Sequence, residues 1–410
     1  MVPLPSRNPR CSGPLKTGRA LRTGVAAAVD YPRSLVKVLI VDEGRDRSAL
    51  AAARALAARG WTVGAASWEG PNLAARSRGV SAWHYVAHTR GEPQDDERFI
   101  STLGMVVREY GYDVAVATWS AGITALSAYR DQLDCEVGYG SHDSVLAALD
   151  KQRLAEIALE AGLLVPRELP QGDADLVSYG RPVVVKATRE SRIAAKLCTT
   201  AEAAAAHRDA ILAAGGDPLV QEMLDEPMTS VSFVVASGEI VTYTQQEASL
   251  VWPLRAGSIA RSTTTDVDPG LRAAVERLVT ATGFHGIGQL QLLRAEDGGL
   301  RLIDFNPRYY GSIALAIAAG ANEPVAWARM AVGLPVQPVV ARPGVHYQWL
   351  SRDLQASIRA RDARGVLQAL TLAPRSVHSL WDSRDPLLAP RYFAGELARR
   401  TKDLLSSHGG

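Results

Sequence analysis

Two alternating runs, Gly288-Gln289-Leu290-Gln291-Leu292-Leu293 and Leu300-Arg301-Leu302-Ile303-Asp304-Phe305-Asn306, flank the segment Glu296-Asp297-Gly298-Gly299 and constrain this chain more than any other feature. Period-two alternation on both sides of a turn-forming segment reads as an antiparallel β-hairpin. Strand side chains alternate between faces, so Asp304 and Asn306 share a face, and Pro307 ends the ladder before Arg308. With a loop of roughly four residues, Ala295 pairs with Leu300, which sets Gln291 opposite Asp304 and Gln289 opposite Asn306. One carboxylate, amide oxygens and a guanidinium then meet at one strand end. Hard divalent cations such as Mg²⁺ take oxygen ligands and complete their shell with water and phosphate, and a guanidinium beside them suits a phosphate or a carboxylate. Taken alone, these residues are equally the polar end of an ordinary hairpin.

A chain of 410 residues is long enough for about two or three domains. Its 45 Lys and Arg against 43 Asp and Glu leave a net charge of +2, so no basic field argues for nucleic acid. Cys11, Cys135 and Cys198 lie far apart without a CxxC or Cys/His cluster, which argues against zinc and against a disulfide framework and points to a reducing cytoplasm. No apolar run reaches the about 18 residues that a membrane span needs. Residues 1–35 carry Arg and Lys among Pro and Gly without the continuous apolar region of a signal peptide, and are expected to be a disordered basic leader.

From residue 36 to about 140, strand and helix alternate as in a doubly wound, Rossmann-like α/β domain. Val36–Val41 reads as a buried parallel strand, followed by a helix over Ser48–Arg59, a strand at Thr62–Ser67, a helix at Phe99–Tyr110 and a strand at Asp113–Thr118. The first turn lacks GxGxxG, which weakens a dinucleotide reading, although ligands in such sheets sit beyond the strand ends, here near Asp42–Arg45 and Trp119–Gly122. Residues 141–225 change class to α+β. A helix from Ser144 to Gly162 carries Asp150-Lys151, the strand Pro182–Lys186 and a strand around Ala194–Cys198 follow, then a helix over Ala201–Ala214 and a short strand ending in Gln221-Glu222. Residues 226–338 add a hairpin over Ser230–Ala236 and Glu239–Thr244 before the opening pair of strands, and residues 339–410 read as a helical, Arg-rich extension.

Lys186 closes an apolar strand, so its ammonium emerges at a strand end where a phosphate could meet it. Thr188, Arg189, Glu190, Ser191 and Arg192 follow, with donors able to close over an anion or to form a solvated charge run. Lys151 on its helix is equally a solvent-facing lysine. Gln221-Glu222-Met223-Leu224 ends a strand and could offer backbone groups to a planar ligand with Met223 against its face. No GxSxG, HExxH or GxxxxGK[ST] motif supplies a hydrolase or P-loop route.

Taken in order, Asp150-Lys151, Lys186 at its strand end, Gln221–Leu224, Gln291 and Asp304-Phe305-Asn306-Pro307-Arg308 resemble the elements of the ATP-grasp superfamily. Within it, the carboxylate-amine ligases and the carbamoyl-phosphate synthetase type of module are most similar. The resemblance covers about Val36 to Pro335 and implies a Rossmann-like pre-ATP-grasp domain, a small lid domain and a larger domain, with ATP held between two antiparallel sheets. It implies that Lys151 and Lys186 contact ATP phosphates, that Gln221, Glu222, Met223 and Leu224 meet the adenine, and that Thr229 stands where relatives place a ribose-binding group. Gln291, Asp304 and Asn306 would hold Mg²⁺ (or Mn²⁺), Arg308 would bind the transferred phosphate, and Arg255 would approach the γ-phosphate or substrate.

Three departures accompany the resemblance. The loop after Lys186 is Ala187-Thr188-Arg189-Glu190-Ser191-Arg192 instead of glycine-rich, the metal positions offer Gln291 and Asp304 instead of two glutamates, and Thr229 is neither acidic nor an imidazole. The implied activity is an ADP-forming ligase that activates a small carboxylate as acyl phosphate and joins it to an amine. Rivals are a nucleotide-binding protein without ligase activity and an ATP-dependent carboxylase of the biotin type. Cysteine usage, net charge and hydropathy lead to the expectation of a cytoplasmic protein without nucleic-acid or membrane partners, and a homodimer stays open.

Overall fold

A computed structural model describes residues 36–189, 193–224, 227–254, 257–295 and 297–395; the expected leader at 1–35 lies outside them. The apolar run at the start of this region forms β1 (Lys37–Val41), whose last four residues are buried. With β2 (Thr62–Ser67), β3 (Ala82–Tyr85) and β4 (Val114–Ala117) it makes an all-parallel sheet in the order β3-β2-β1-β4. Helices α1 (Arg47–Ala57), α2 (Pro93–Tyr110) and α3 (Ser120–Ala128) complete this α/β layer. β3 has no apolar signature in the sequence because an edge strand can leave side chains in solvent, and here only His84 is buried. A Cβ at Gly64 would fall 2.0 Å from the Tyr112 hydroxyl, so the glycine lets that ring pack on the sheet. The strand order reverses between β1 and β4, which opens the crevice beyond β1 where Asp46 caps α1.

The helix expected from Ser144 to Gly162 is two helices, α4 (His142–Leu149) and α5 (Lys151–Glu160). Asp150 separates them: its backbone is extended, and its Oδ1 accepts from the Gln152 and Arg153 N–H groups at 3.1 Å. Lys151 therefore occupies the first position of α5 instead of a mid-helix face. After α6 (Asp173–Tyr179), a three-stranded antiparallel sheet in the order β6-β5-β7 is built from β5 (Val183–Ala187), β6 (Lys196–Cys198) and β7 (Pro218–Glu222). Helix α7 (Ala201–Ala213) packs on it through Ala204 and Ile211, which share a core with Val183, Val185 and Val220.

The largest sheet starts from β8 (Met228–Ala236), β9 (Glu239–Trp252) and β10 (Ser258–Thr264). After α8 (Pro269–Thr282) come β11 (Gly286–Arg294) and β12 (Leu300–Asn306), then α9 (Ile313–Ala318) and α10 (Glu323–Ala331). Phe233, Phe284 and Phe305 meet at ring-centroid distances of 4.9 to 6.2 Å and share one core with Leu154 of α5 and Val275 and Leu278 of α8. Val234, on the other face of β8, packs with the core of the parallel sheet. The C-terminal region corrects the expectation of a helical extension. Besides α11 (Leu350–Arg359) and α12 (Ala363–Leu372), it contributes β13 (Val339–Val340), β14 (His346–Gln348) and β15 (Ser376–His378), which extend the sheet to the order β12-β11-β8-β9-β10-β14-β15 with β13 beside β9. Arg261 of β10 makes a bidentate pair with the fully buried Asp353 of α11, Nε–Oδ2 2.9 Å and Nη2–Oδ1 2.5 Å. No helix among the described residues is long and apolar enough to cross a membrane.

Candidate active site

The β11–β12 hairpin places Gln289 opposite Asn306 and Gln291 opposite Asp304, the register expected at the polar end. It reaches that register differently from expectation. Arg294, not Ala295, pairs with Leu300, and the register then shifts between Leu292↔Leu302 and Gln291↔Asp304, which leaves Ile303 as a bulged extra residue. The shorter ladder and the bulge cancel at the site. Bulging also keeps Leu302 and Phe305 on the core side while Asp304 and Asn306 face the cleft. A bulge residue drops out of the ladder, and the Ile303 carbonyl accepts instead from Lys186 Nζ at 3.0 Å. The hairpin is thereby tied to the end of β5 on the opposite sheet.

Between these sheets lies a cleft of about 490 Å³. Lys186, Gln221, Glu222 and Leu224 line it from the three-stranded sheet, Lys151 from the start of α5, and Gln291, Asp304, Asn306 and Arg308 from the hairpin side. Lys151 Nζ stands 4.0 Å from Asp304 Oδ1. Met223 is half-buried and outside the lining. Thr229 is corrected by one residue: on β8 it lies opposite Leu292, facing the core, while Met228 lines the cleft. Arg255 lies outside the described residues, as do Glu190, Ser191 and Arg192 of the expected anion loop. Arg189, the loop's described arginine, is engaged by Asp150, Nε–Oδ2 3.0 Å. Glu222 also has a structural partner, since its Oε1 accepts from the Arg167 N–H at 2.9 Å. Sequence reasoning missed Arg47, Tyr310 and Ser312, which line the cleft together with Gln289. Arg47 comes from the first turn of α1, so only the tertiary fold brings it here; Gln289 was signalled by its register with Asn306.

A family model described as "ATP-grasp in the biosynthetic pathway with Ter operon" matches residues 216–352. Among solved structures, the pyruvate carboxylase of Rhizobium etli superposes with a TM-score of 0.59 at 16% identity, over 76% of this chain and 30% of that one. An L-amino acid ligase from Bacillus licheniformis superposes with a TM-score of 0.56 at 14% identity, covering 75% of this chain and 76% of the ligase. The biotin carboxylase–β,γ-ATP complex of Campylobacter jejuni gives 0.58 at 15% identity, covering 75% and 74%. The chain has the ATP-grasp fold. It spans only 30% of the length of the pyruvate carboxylase, and no curated protein matches its sequence.

The ATP-grasp cleft carries a positive field. Lys151, Lys186, Arg308 and Arg47 face it against two carboxylates, Asp304 and Glu222. Burial pushes the Lys186 ammonium down to about 8, with Asp304 pulling it up and Lys151 pushing it further down. Arg308 Nη1 donates to the Tyr309 carbonyl at 3.2 Å, while its Nε is buried without a hydrogen-bond partner. A buried unpaired donor is costly, and an anion in the cleft would satisfy it. Among the described residues no group of three His, Cys, Asp or Glu could cage a metal ion. The donors Gln291, Asp304 and Asn306 fit one hard cation that also takes oxygens from phosphate, and do not fit a carboxylate-bridged pair.

Under the cleft floor Glu323 is fully buried and accepts from Ser232 Oγ (2.8 Å), Thr244 Oγ1 (3.0 Å) and the Tyr310 hydroxyl (2.8 Å). Burial pushes its carboxyl up to about 7 against the lowering effect of those donors. The folded protein thus keeps a proton that the unfolded chain releases near the ordinary carboxylate pKa of about 4.3. Stability contributed here falls as pH rises through that window and is level above it, by roughly 4 kcal/mol in total. Glu323→Gln should flatten this slope, read as urea midpoints between about pH 5 and pH 7.5; an unchanged slope would contradict the assignment.

Proposed function

We propose that the protein is an ADP-forming ligase that activates a small carboxylate as acyl phosphate and condenses it with an amine. The observation that carries this reading is the cleft between the three-stranded sheet and the β11–β12 hairpin, in which Lys151, Lys186 and Arg308 surround the single carboxylate and the amide oxygens of the hairpin end. Cations and oxygen ligands without a catalytic triad suit phosphoryl transfer, which asks for positioning and charge neutralisation more than for a protein acid or base. The likeness to an L-amino acid ligase and to a biotin carboxylase bound to β,γ-ATP supports the same reading.

In this reading Lys151 and Lys186 hold the nucleotide phosphates, and Gln221, Glu222 and Leu224 border the base. A carboxylate oxygen of the substrate attacks the γ-phosphorus, forming a carbon–oxygen–phosphorus link as the bond to the β-phosphate oxygen breaks and ADP departs. Arg308, with its unpaired Nε, neutralises the charge on the transferring group. The amine then attacks the acyl carbonyl, phosphate leaves, and the amine gives up a proton. Gln291, Asp304 and Asn306 would hold Mg²⁺ (or Mn²⁺), which supplies further charge neutralisation when bound. The domain reading that goes with it assigns 36–140 to a pre-ATP-grasp domain, 141–225 to a lid, 226–338 to the larger domain and 339–410 to an extension. The unpaired Cys135 and Cys198 suit a reducing cytoplasm.

A second reading, ATP-dependent carboxylation, is favoured by the likeness to biotin carboxylase. An ADP-release screen over pooled carboxylates and amines separates the two, because only carboxylation requires bicarbonate. The Lys186 pKa adds a pH signature. Phosphate binding requires the ammonium form, so ADP affinity should hold below about pH 8 and fall by up to about tenfold per pH unit above it. Lys186→Met should bind ADP weakly and without that dependence; an equally pH-dependent variant would assign the titration to another group.

A further inference from the structure

Beside the nucleotide cleft lies a second chamber of about 530 Å³, within the range of small-molecule sites. It shares Arg47, Ser258 and Gly311 with the cleft, so the two meet at Arg47. Three guanidinium groups, Arg45, Arg47 and Arg352, line it against one carboxylate, Asp46. Asp46 already caps α1, its Oδ1 accepting from Ser48 N at 2.7 Å and from Ser48 Oγ at 2.6 Å. The chamber lining therefore carries more positive than negative charge.

Arg47 is positioned in advance of any ligand. Its Nε donates to the Gly311 carbonyl at 2.9 Å, and its guanidinium lies 3.5 Å from the centre of the Trp349 ring. A Cβ at Gly311 would fall 2.3 Å from Arg47 Nη2, so only glycine lets the guanidinium rest there. Trp349 is also the N-cap of α11 and makes no side-chain cap, and Ser351 and Arg352 of that first helical turn line the chamber. The positive end of the α11 dipole thus adds to the guanidinium field. The rest of the lining is Leu380, Tyr392 and Phe393, with Phe393 44% exposed, and Gln355, whose Oε1 accepts from Arg352 Nη1.

We propose that this chamber binds the carboxylate substrate and that the substrate is an organic acid with an aromatic body. Its carboxylate meets Arg47 where the chamber opens to the nucleotide cleft, and its ring covers Tyr392 and Phe393. The inference rests on the ligase reading. A protonated amine would be repelled by three guanidinium groups, and a short aliphatic acid would leave the aromatic wall wet.

Isothermal titration of the full chain tests it with three probes in the presence of ADP: phenylacetate, the uncharged phenylacetamide, and acetate, which lacks the ring. Phenylacetate is expected to bind at least about tenfold more tightly than either control. Arg352→Gln and Phe393→Ala should each weaken phenylacetate by about tenfold while ADP affinity stays within about twofold. Phenylacetate binding no tighter than the controls, or indifferent to both variants, overturns the proposal. If ADP binds the unchanged protein and phenylacetate does not, the chamber assignment fails while the cleft reading stands; if ADP does not bind either, both fall.

Discussion

Arg308→Ala should lower ADP-forming turnover by about 10²- to 10³-fold while the protein stays folded. The expectation follows from where the side chain sits. Arg308 leaves the end of β12 immediately after Pro307, lines the cleft beside Asp304 and Asn306, and holds a buried Nε without a partner. A donor left unsatisfied in the ligand-free protein contributes little to folding, so its removal is cheap for stability. The same donor becomes valuable when charge develops on a transferring phosphoryl group in a site of low dielectric. Turnover measured by ADP release and stability measured by thermal unfolding should therefore separate. Near-normal turnover, or a loss of activity matched by unfolding, would remove Arg308 from its role.

The largest effect on stability is expected far from the chemistry, at Asp353→Ala, which should cost about 3–5 kcal/mol. Asp353 is fully buried on α11 and its two oxygens are taken by Arg261 Nε at 2.9 Å, Arg261 Nη2 at 2.5 Å and Gln348 Nε2 at 2.6 Å. Arg261 Nη1 donates on to Gln368 of α12 at 2.6 Å, so one carboxylate joins β10, β14, α11 and α12. Its removal leaves a guanidinium buried without its counter-ion, which is the costly way to break such a pair. Domains are stable by only about 5–15 kcal/mol, so the loss is large. Urea unfolding of Asp353→Ala checks this, with Arg261→Met/Asp353→Leu as control: removing both charges together should recover most of the loss. An equally unstable double variant would mean that the pair's shape, not its charge balance, holds the region.

The parts of this structure that could be read in the sequence are those where a short-range pattern carries the information. Alternation and the turn identified the hairpin, but Gln291 falls opposite Asp304 and Gln289 opposite Asn306 as expected only because the Arg294–Leu300 pairing and the bulge at Ile303 offset each other. The bulge at Ile303 was not foreseen, although Leu302 sharing the phase of Asp304 was its signal, since an unbroken ladder would have turned that leucine into the cleft. Thr229 was carried over from the resemblance alone, whereas the alternation Ser230-Val231-Ser232-Phe233 already sets it in phase with the core residues Val231 and Phe233 and leaves Met228 on the cleft face. The break at Asp150 was hidden by helical pattern on both sides, and its capping role shows only once the residue is seen to leave the helix. β13, β14 and β15 have two or three residues each, too few to show any period. Arg47 lies in α1, which the chain reaches long before the hairpin, and no local rule connects the two.

The most direct test is ADP release by the full chain with ATP and Mg²⁺ over pooled carboxylates and amines, followed by mass spectrometry. The cleft reading predicts ADP release that requires both pools and a product whose mass is the sum of one acid and one amine less water, lost in both Asp304→Ala and Arg308→Ala. ADP release that needs bicarbonate alone, or that survives in both variants, would contradict it.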